Sequence, residues 1–408
     1  MNCRHCREPV SLVFSDLGIT APSNSYLSKD ELNKPEARYP LTVLVCETCW
    51  LAQTQDFTSA DELFTPNYAY FSAFSSSWLS HCEKFVTSVT NRFKLSEKSL
   101  VVEVACNDGY LLQYVDKLNI PCLGIEPTRA TAEAARKKRI EVIEDFFGVS
   151  LAQTLLTDNR QADLLIANNV LAHVPDINDF VSGFTTLLKP AGVATFEFPH
   201  LCELVSNNQF DTIYHEHFSY LSFTSVCRIF AHNGLHVFDV EQLTTHGGSL
   251  RVYAQRLDSK VHSVGGSVSE LLMKESKLGV CTSEYYSNFD ANTQAIKIEF
   301  MNFLELAHES GSSIAAYGAA AKGNTLMNYC GIDSSQIDYV VDKNPHKQGL
   351  YMPGSKIPIV DEDHLMQDKP DYIVIFPWNL VSEIIDQLDY VREWGAKFVV
   401  AIPTLKTL

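Results

Sequence analysis

In the middle of the chain, short apolar runs alternate with longer stretches whose apolar residues recur every three or four positions. "SLVVEVACNDGYLLQYVDKL" (99–118) reads as strand, loop, helix. "IPCLGIEP" (120–127) is a second short strand, and "TRATAEAARKKR" (128–139) a helix of good helix formers. "EVIEDFF" (141–147) follows as a third strand, and "ADLLIANNVLAHVPDINDFVSGFTTLL" (162–188) again reads as strand, loop, helix. "KPAGVATFEFPHL" (189–201) is a turn running into a further strand. Upstream, "SAFSSSWLSHCEKFVTSVTNRF" (72–93) has helical spacing. Such alternation predicts a parallel sheet covered by helices.

A second alternating unit begins after a polar, helix-patterned stretch at about 268–310. "THGGSLRVYAQRL" (245–257) is a strand opened by a Gly-Gly turn. "SIAAYGAAAKGNTLMNYCG" (313–331) reads as strand, Gly/Ala-rich loop, helix, and "IDYVVDKNP", "DYIVIFPW" and "AKFVVAIP" as more short strands. The expected architecture is therefore α/β throughout, with a head at 1–70, a Rossmann-like unit at 71–240 and a second Rossmann-like unit at 241–408. A chain of 408 residues is long enough for two or three cores.

Within the head, Cys3 and Cys6 stand in "CRHC", and Cys46 and Cys49 in "CETC". Each pair lets two thiolates meet one ion from a tight turn, and zinc takes four such ligands. A segment this poor in apolar residues needs such a staple. The expected zinc is structural; His5 is the weaker alternative ligand, and a redox dithiol the weaker alternative role. The other seven cysteines lack ligand spacing and read as small buried apolar residues.

The loop after the first strand of the central unit carries Asn107, Asp108 and Gly109, with Glu103 in the strand itself. Glu126 ends the second strand, where an acid takes ribose hydroxyls. Asp145, Phe146 and Asn168 close the third and fourth strands. The G-x-G-x-x-G of a dinucleotide site is absent. The loop also has no Lys or Arg to neutralise a diphosphate. These features favour S-adenosylmethionine. His173 follows the fourth strand, at the sheet edge where ligands bind. In the second unit Gly318, Lys322, Gly323 and Asn324 have the makings of an anion cradle, with Asp342, Lys343, His346 and Lys347 nearby in sequence.

The acidic balance, 49 Asp plus Glu against 32 Lys plus Arg for a net −17, argues against a nucleic-acid partner. No run of about 20 apolar residues is present to span a membrane, and no signal core opens the sequence. The expectation is a cytoplasmic protein with reduced cysteines.

"EVACNDGYLL", "NNVLAHVPD", "EFPHL" and "QFDTIYHEHFSYLS", behind a four-cysteine head, resemble the S-adenosylmethionine-dependent sugar C-methyltransferase family. The likeness extends to "YGAAAKGNT" and "VVDKNPHKQGLYMPGSKIPI"; one departure is Ala105, where the family usually has glycine. The resemblance implies a nucleotide-linked 4-keto-deoxysugar substrate methylated on a ring carbon, C3 expected and C5 the alternative. It implies Tyr214, Glu216 and His217 as active-site residues with His217 the base, joined by His173 and by Tyr68 or Tyr70. It also implies that the second unit holds the nucleotide-sugar, the diphosphate near Lys322, with Asn324 and Lys343 assisting. Chemically, removing a proton beside a ketone calls for a base of near-neutral pKa and a donor for the oxyanion. His215 is expected to be structural. The rival expectations are an O- or N-methyltransferase and a non-catalytic zinc-containing nucleotide-sugar-binding subunit.

Overall fold

The computed structural model of the chain describes residues 1–57 and 71–408. Three sheets organise it. The head holds antiparallel strands Leu12–Thr20, Tyr39–Val45 and Ala52–Thr54, and takes its fourth strand, Ser219–Tyr220, from the Tyr/His segment of the central unit. Each C-x-x-C closes on itself in the same way. Arg7 N–H donates to Cys3 O (3.0 Å) and Trp50 N–H to Cys46 O (2.7 Å). The residue after each second cysteine, Arg7 or Trp50, turns left-handed, with φ of 66° and 63°.

The central sheet has seven strands. Five are parallel: Val101–Val104, Cys122–Ile125, Val142–Ile143, Ala162–Asn168 and Leu188–Pro199. An antiparallel hairpin, Leu235–Leu243 and Ser249–Arg256, is added beside the last of these. The sheet therefore runs past residue 240, because residues 249–254 pair with 194–199. Strand order reverses between Val101–Val104 and Ala162–Asn168, which lie side by side at its centre. That is the switch point where ligands bind in open α/β sheets.

The long helical pattern resolves into two helices, Gly266–Leu278 and Phe289–Glu309; Gly279, left-handed at φ 80°, ends the first. The C-terminal sheet orders Ile359–Val360, Val340–Val341, Ile314–Tyr317, Tyr372–Ile375, Lys397–Val400 and Lys406–Thr407, all parallel but for the last strand. Its helix Ala321–Cys330 packs on the short turn Phe210–Thr212, where the Tyr/His segment begins. Among the described residues, no helix is long and apolar enough to cross a membrane.

Candidate active site

The four head cysteines converge. Cys3 and Cys49 sulfurs lie 3.5 Å apart, Cys6 and Cys46 sulfurs 3.4 Å, and all four atoms fall within 4.8 Å of one another. Tetrahedral zinc needs sulfurs about 3.8 Å apart, given Zn–S bonds of about 2.3 Å, so the set fits the ion. Gln53 donates to Cys3 Sγ (3.3 Å), a supporting hydrogen bond of the kind that steadies metal thiolates. His5 is turned away, its Nδ1 at 2.8 Å from Asn178. The head is pinned to the central unit by buried Arg4, which donates to Pro175 O (2.9 Å) and Thr54 O (3.0 Å).

At the carboxyl edge of the central sheet stand the residues expected to hold S-adenosylmethionine. Gly109, at φ 75°, makes the tight turn after the first strand. Glu126 accepts from Asn107 N–H (2.9 Å) and Thr128 N–H (3.0 Å). Burial nevertheless pushes its carboxyl above the usual range, and it does the same, more strongly, to Glu103 beneath the turn. Asn168 is buried with both amide atoms lacking a partner, and so is Asp108 Oδ1. Asp145 and Phe146, after the edge strand Val142–Ile143, are exposed. Polar atoms without a partner among the described residues, at the glycine turn and at the neighbouring strand end, suit a polar ligand.

The side chains of the Tyr/His cluster divide by function. His217 Nδ1 lies 2.9 Å from Thr212 O, so the imidazole proton sits on Nδ1. Its Nε2 accepts from Tyr214 Oη–H at 2.7 Å. The His173 ring meets that of His217 edge-on, centroids 4.5 Å apart. Burial holds His217 well below the ordinary histidine pKa, with His173 adding to it, and holds His173 at about 4. Both are neutral near pH 7, the state a base requires. Glu216 is wholly buried; Oε1 accepts from the Asn24 amide (3.0 Å), Oε2 has no partner, and burial raises its pKa. His215 points the other way, 3.3 Å from Pro40 O and edge-on to Tyr39. Tyr68 and Tyr70 lie outside the described residues.

The anion cradle expected in the C-terminal unit is filled. Gly318 N–H donates to Val341 O (2.7 Å), Ala319 N–H to Asp342 (2.7 Å) and Ala320 N–H to Gly318 O (2.7 Å). A Cβ on Gly318 would meet Pro377 at 2.5 Å, and one on Gly323 would meet Phe376 at 2.4 Å. Here glycine permits close packing. Asp342 and Lys347 tie the turn down, with Lys347 donating to Ala319 O (2.7 Å). Lys343 and His346 are exposed. Asn324 is buried with both amide atoms unpartnered. Lys322 points inward, donating to Asn379 (2.7 Å) over the face of Trp378 (4.2 Å).

Sequence reasoning missed several groups here. His246 sits in the hairpin loop with a left-handed backbone at φ 53°. Asp211 Oδ2 accepts from Trp378 Nε1 (2.7 Å), and burial lifts its pKa to about 6. Glu197, fully buried at the end of its strand, is held by His81 (2.9 Å) and Arg251 (2.5 Å). The usable signal was the His-Gly-Gly of "THGGS", where a bulky residue shares a left-handed turn with two glycines.

The comparisons divide the chain into three domains. Residues 3–64 match the family described as "Putative zinc binding domain", 78–240 a methyltransferase domain, and 244–403 the C-methyltransferase C-terminal domain. The C-methyltransferase NovU of Streptomyces niveus is 33% identical over 98% of this chain and 95% of its own. A ubiquinone biosynthesis O-methyltransferase of Rhodopseudomonas palustris is 24% identical over 25% of this chain and 43% of its own. Among solved structures, magnesium protoporphyrin IX methyltransferase of Synechocystis PCC 6803 with bound S-adenosylmethionine is a loose likeness. It is 16% identical over 44% of this chain and 81% of its own, at a TM-score of 0.33. With a relative of that identity along nearly its whole length, this chain belongs to the S-adenosylmethionine-dependent C-methyltransferase family.

Proposed function

We propose that the enzyme methylates a ring carbon, C3 expected, of a nucleotide-linked 4-keto-deoxysugar, with His217 as the base. One observation carries this reading: His217 is fixed by Thr212 in the tautomer that places its lone pair on Nε2, where Tyr214 Oη–H donates at 2.7 Å until the substrate displaces it. His217 Nε2 takes the proton from the carbon beside the ketone. The C–H pair moves into the ring and the carbonyl pair onto oxygen. S-adenosylmethionine, when bound, supplies an electrophilic methyl group, held by Gly109, Glu126, Asp145, Phe146 and Asn168 with Glu103 beneath. The nucleophilic carbon then takes that methyl. Tyr214, His173 or both stabilise the enolate oxygen, and Glu216 orients the sugar hydroxyls. Asn324 contacts the sugar from the C-terminal side, and Lys343 meets the nucleotide end. Zinc holds the head and takes no part in the chemistry.

The test is proton exchange. A nucleotide 4-keto-6-deoxyhexose is incubated in heavy water with enzyme and S-adenosylhomocysteine, and deuterium on the ring is followed by NMR. Exchange at one carbon, lost in His217→Ala, is the expected result, and the labelled position names the methylated carbon. Cofactor binding without exchange points instead to a heteroatom methyltransferase. No cofactor binding points to a binding subunit.

A further inference from the structure

Lys322 was expected to serve a phosphate, but its surroundings serve something else. The loop N–H groups at 318, 319 and 320 are engaged within the protein, and Pro377 and Phe376 fill the space at the two glycines. What remains is one restrained ammonium. Lys322 Nζ is fixed by Asn379 and the Trp378 ring, and Trp378 is fixed in turn by Asp211. A half-buried cation with no backbone nest, and with the Asp211 carboxyl already acting on it, suits one developing negative charge better than a diphosphate.

Next to this support lies the hairpin loop that carries His246. Its left-handed backbone is a strained conformation for a non-glycine residue, of the kind concentrated at functional sites. The next residue must be glycine, since a Cβ on Gly247 would meet Trp378 at 2.3 Å. The Asn169 amide donates to His246 Nε2 (3.0 Å), which leaves the ring proton on Nδ1. Trp78 lies against the same ring, centroids 5.2 Å apart, and also approaches Tyr110 at 5.8 Å, just past the cofactor turn. His246 therefore stands between the cofactor edge and Lys322. The residue as a whole is half-buried. The Lys322 charge bears on both His217 and His246 and helps keep each neutral, after burial.

We propose that Lys322 and His246 add donors to the enolate oxygen beside Tyr214 and His173, so that the C-terminal unit acts on the chemistry rather than only on the nucleotide. This rests on the enolate reading above. As His217 removes the proton, the carbonyl oxygen gains the electron pair and accepts from the Lys322 ammonium and the His246 N–H. When the carbon takes the methyl, that pair returns to rebuild C=O. The C–S pair leaves with sulfur.

The experiment compares wild type with Lys322→Met, Lys322→Arg and His246→Asn. It measures methylation kinetics, deuterium exchange into the keto-sugar, and calorimetric binding of dTDP and UDP alone. The expected result is a fall of about 10²–10³-fold in kcat and in exchange for Lys322→Met and His246→Asn. KM and nucleoside diphosphate affinity stay within threefold, and Lys322→Arg recovers part of the rate. Should Lys322→Met fail to fold by circular dichroism, Lys322→Arg and His246→Asn carry the comparison. A tenfold rise in KM and loss of nucleoside diphosphate affinity, with exchange intact, overturns the proposal in favour of a diphosphate anchor. Unchanged kinetics in both variants also overturns it. A wild type that transfers methyl without exchanging deuterium overturns the enolate reading itself, and is recognisable because no variant is needed to see it.

Discussion

Two strand–turn–helix units face the reaction centre, and they share one local device. In the central unit, Glu126 accepts from the turn at Asn107 N–H and from Thr128 N–H two residues on. In the C-terminal unit, Asp342 accepts from the turn at Ala319 N–H and from Asn344 N–H two residues on. The surroundings differ. Glu126 itself makes no ion pair among the described residues, although Asp108 in its turn lies 3.6 Å from Lys138; Asn168 keeps its amide atoms unpartnered among the described residues, and Phe146 stands 45% exposed. Around Asp342, Lys347 approaches to 3.7 Å, Pro377 fills the turn, and Tyr26 of the head donates to Ala319 O at 2.6 Å. The first turn is covered by Ser72 and Ala73 yet leaves Asp108 Oδ1 without a hydrogen bond among the described residues, while the second is closed by packing. What a strand-end acid does is decided by its neighbours, not by its place in the motif.

The largest test of this contrast is removal of the metal. The head closes the second turn through Tyr26, fixes Glu216 through Asn24 and pairs with Ser219–Tyr220. Stripping zinc with a chelator should therefore lower methylation on the order of 10²-fold, since small misplacements cost that much. S-adenosylmethionine affinity, which belongs to the first turn, should stay within threefold by calorimetry. Retained turnover in protein shown metal-free by mass spectrometry would break the contrast.

A second test uses pH at the seam between the units. Burial holds His173 at about 4, below its unfolded value of about 6.5. A group depressed in this way contributes stability that is full above pH 6.5 and is lost as pH falls towards 4. Between pH 7 and 4, wild type should lose about 3 kcal/mol more unfolding free energy than His173→Gln. Parallel urea-unfolding curves for the two proteins at both pH values would show His173 to be solvated instead.

Third, Gly318→Ala should cost about 2–3 kcal/mol, because a left-handed φ of 91° and contact with Pro377 both oppose a methyl group. Gly109→Ala meets looser contacts at 3.3 Å and should cost less stability but more cofactor affinity. Thermal melts with and without S-adenosylhomocysteine separate the two. The smallest effect expected is from Glu126→Gln, about tenfold in S-adenosylmethionine affinity, or about 1.4 kcal/mol. Asp342→Asn should leave that affinity untouched. Equal losses in both variants would mean the two acids serve alike.

The sequence reads well wherever the relevant partners are close along the chain. The parallel strands, the helix Ser76–Phe93 and the two cysteine knuckles all follow from periodicity or short spacing. Strand Leu235–Leu243 was not read, since a register shift between Val237 and Asp239 breaks its alternation. "EVIEDFF" shrank to two strand residues, Val142–Ile143. The anion cradle in "YGAAAKGNT" was misjudged because a glycine that frees N–H groups and a glycine that admits Pro377 look identical in one dimension. Lys322, Asp211 and His246 come from three distant segments, and no pattern within any of them announces the others.

The pairing of Ala52–Thr54 with Ser219–Tyr220 also bears on how the protein is made. The cysteine pairs leave the ribosome early, yet the head cannot complete its sheet until all five parallel strands of the central sheet have emerged. A nascent head must wait with an unpaired strand edge, which is a template for mispairing with other chains. Zinc captured at that stage would hold the edge in shape during the delay. For the same reason the head is not a detachable module: grafted onto another methyltransferase, it would arrive without its fourth strand.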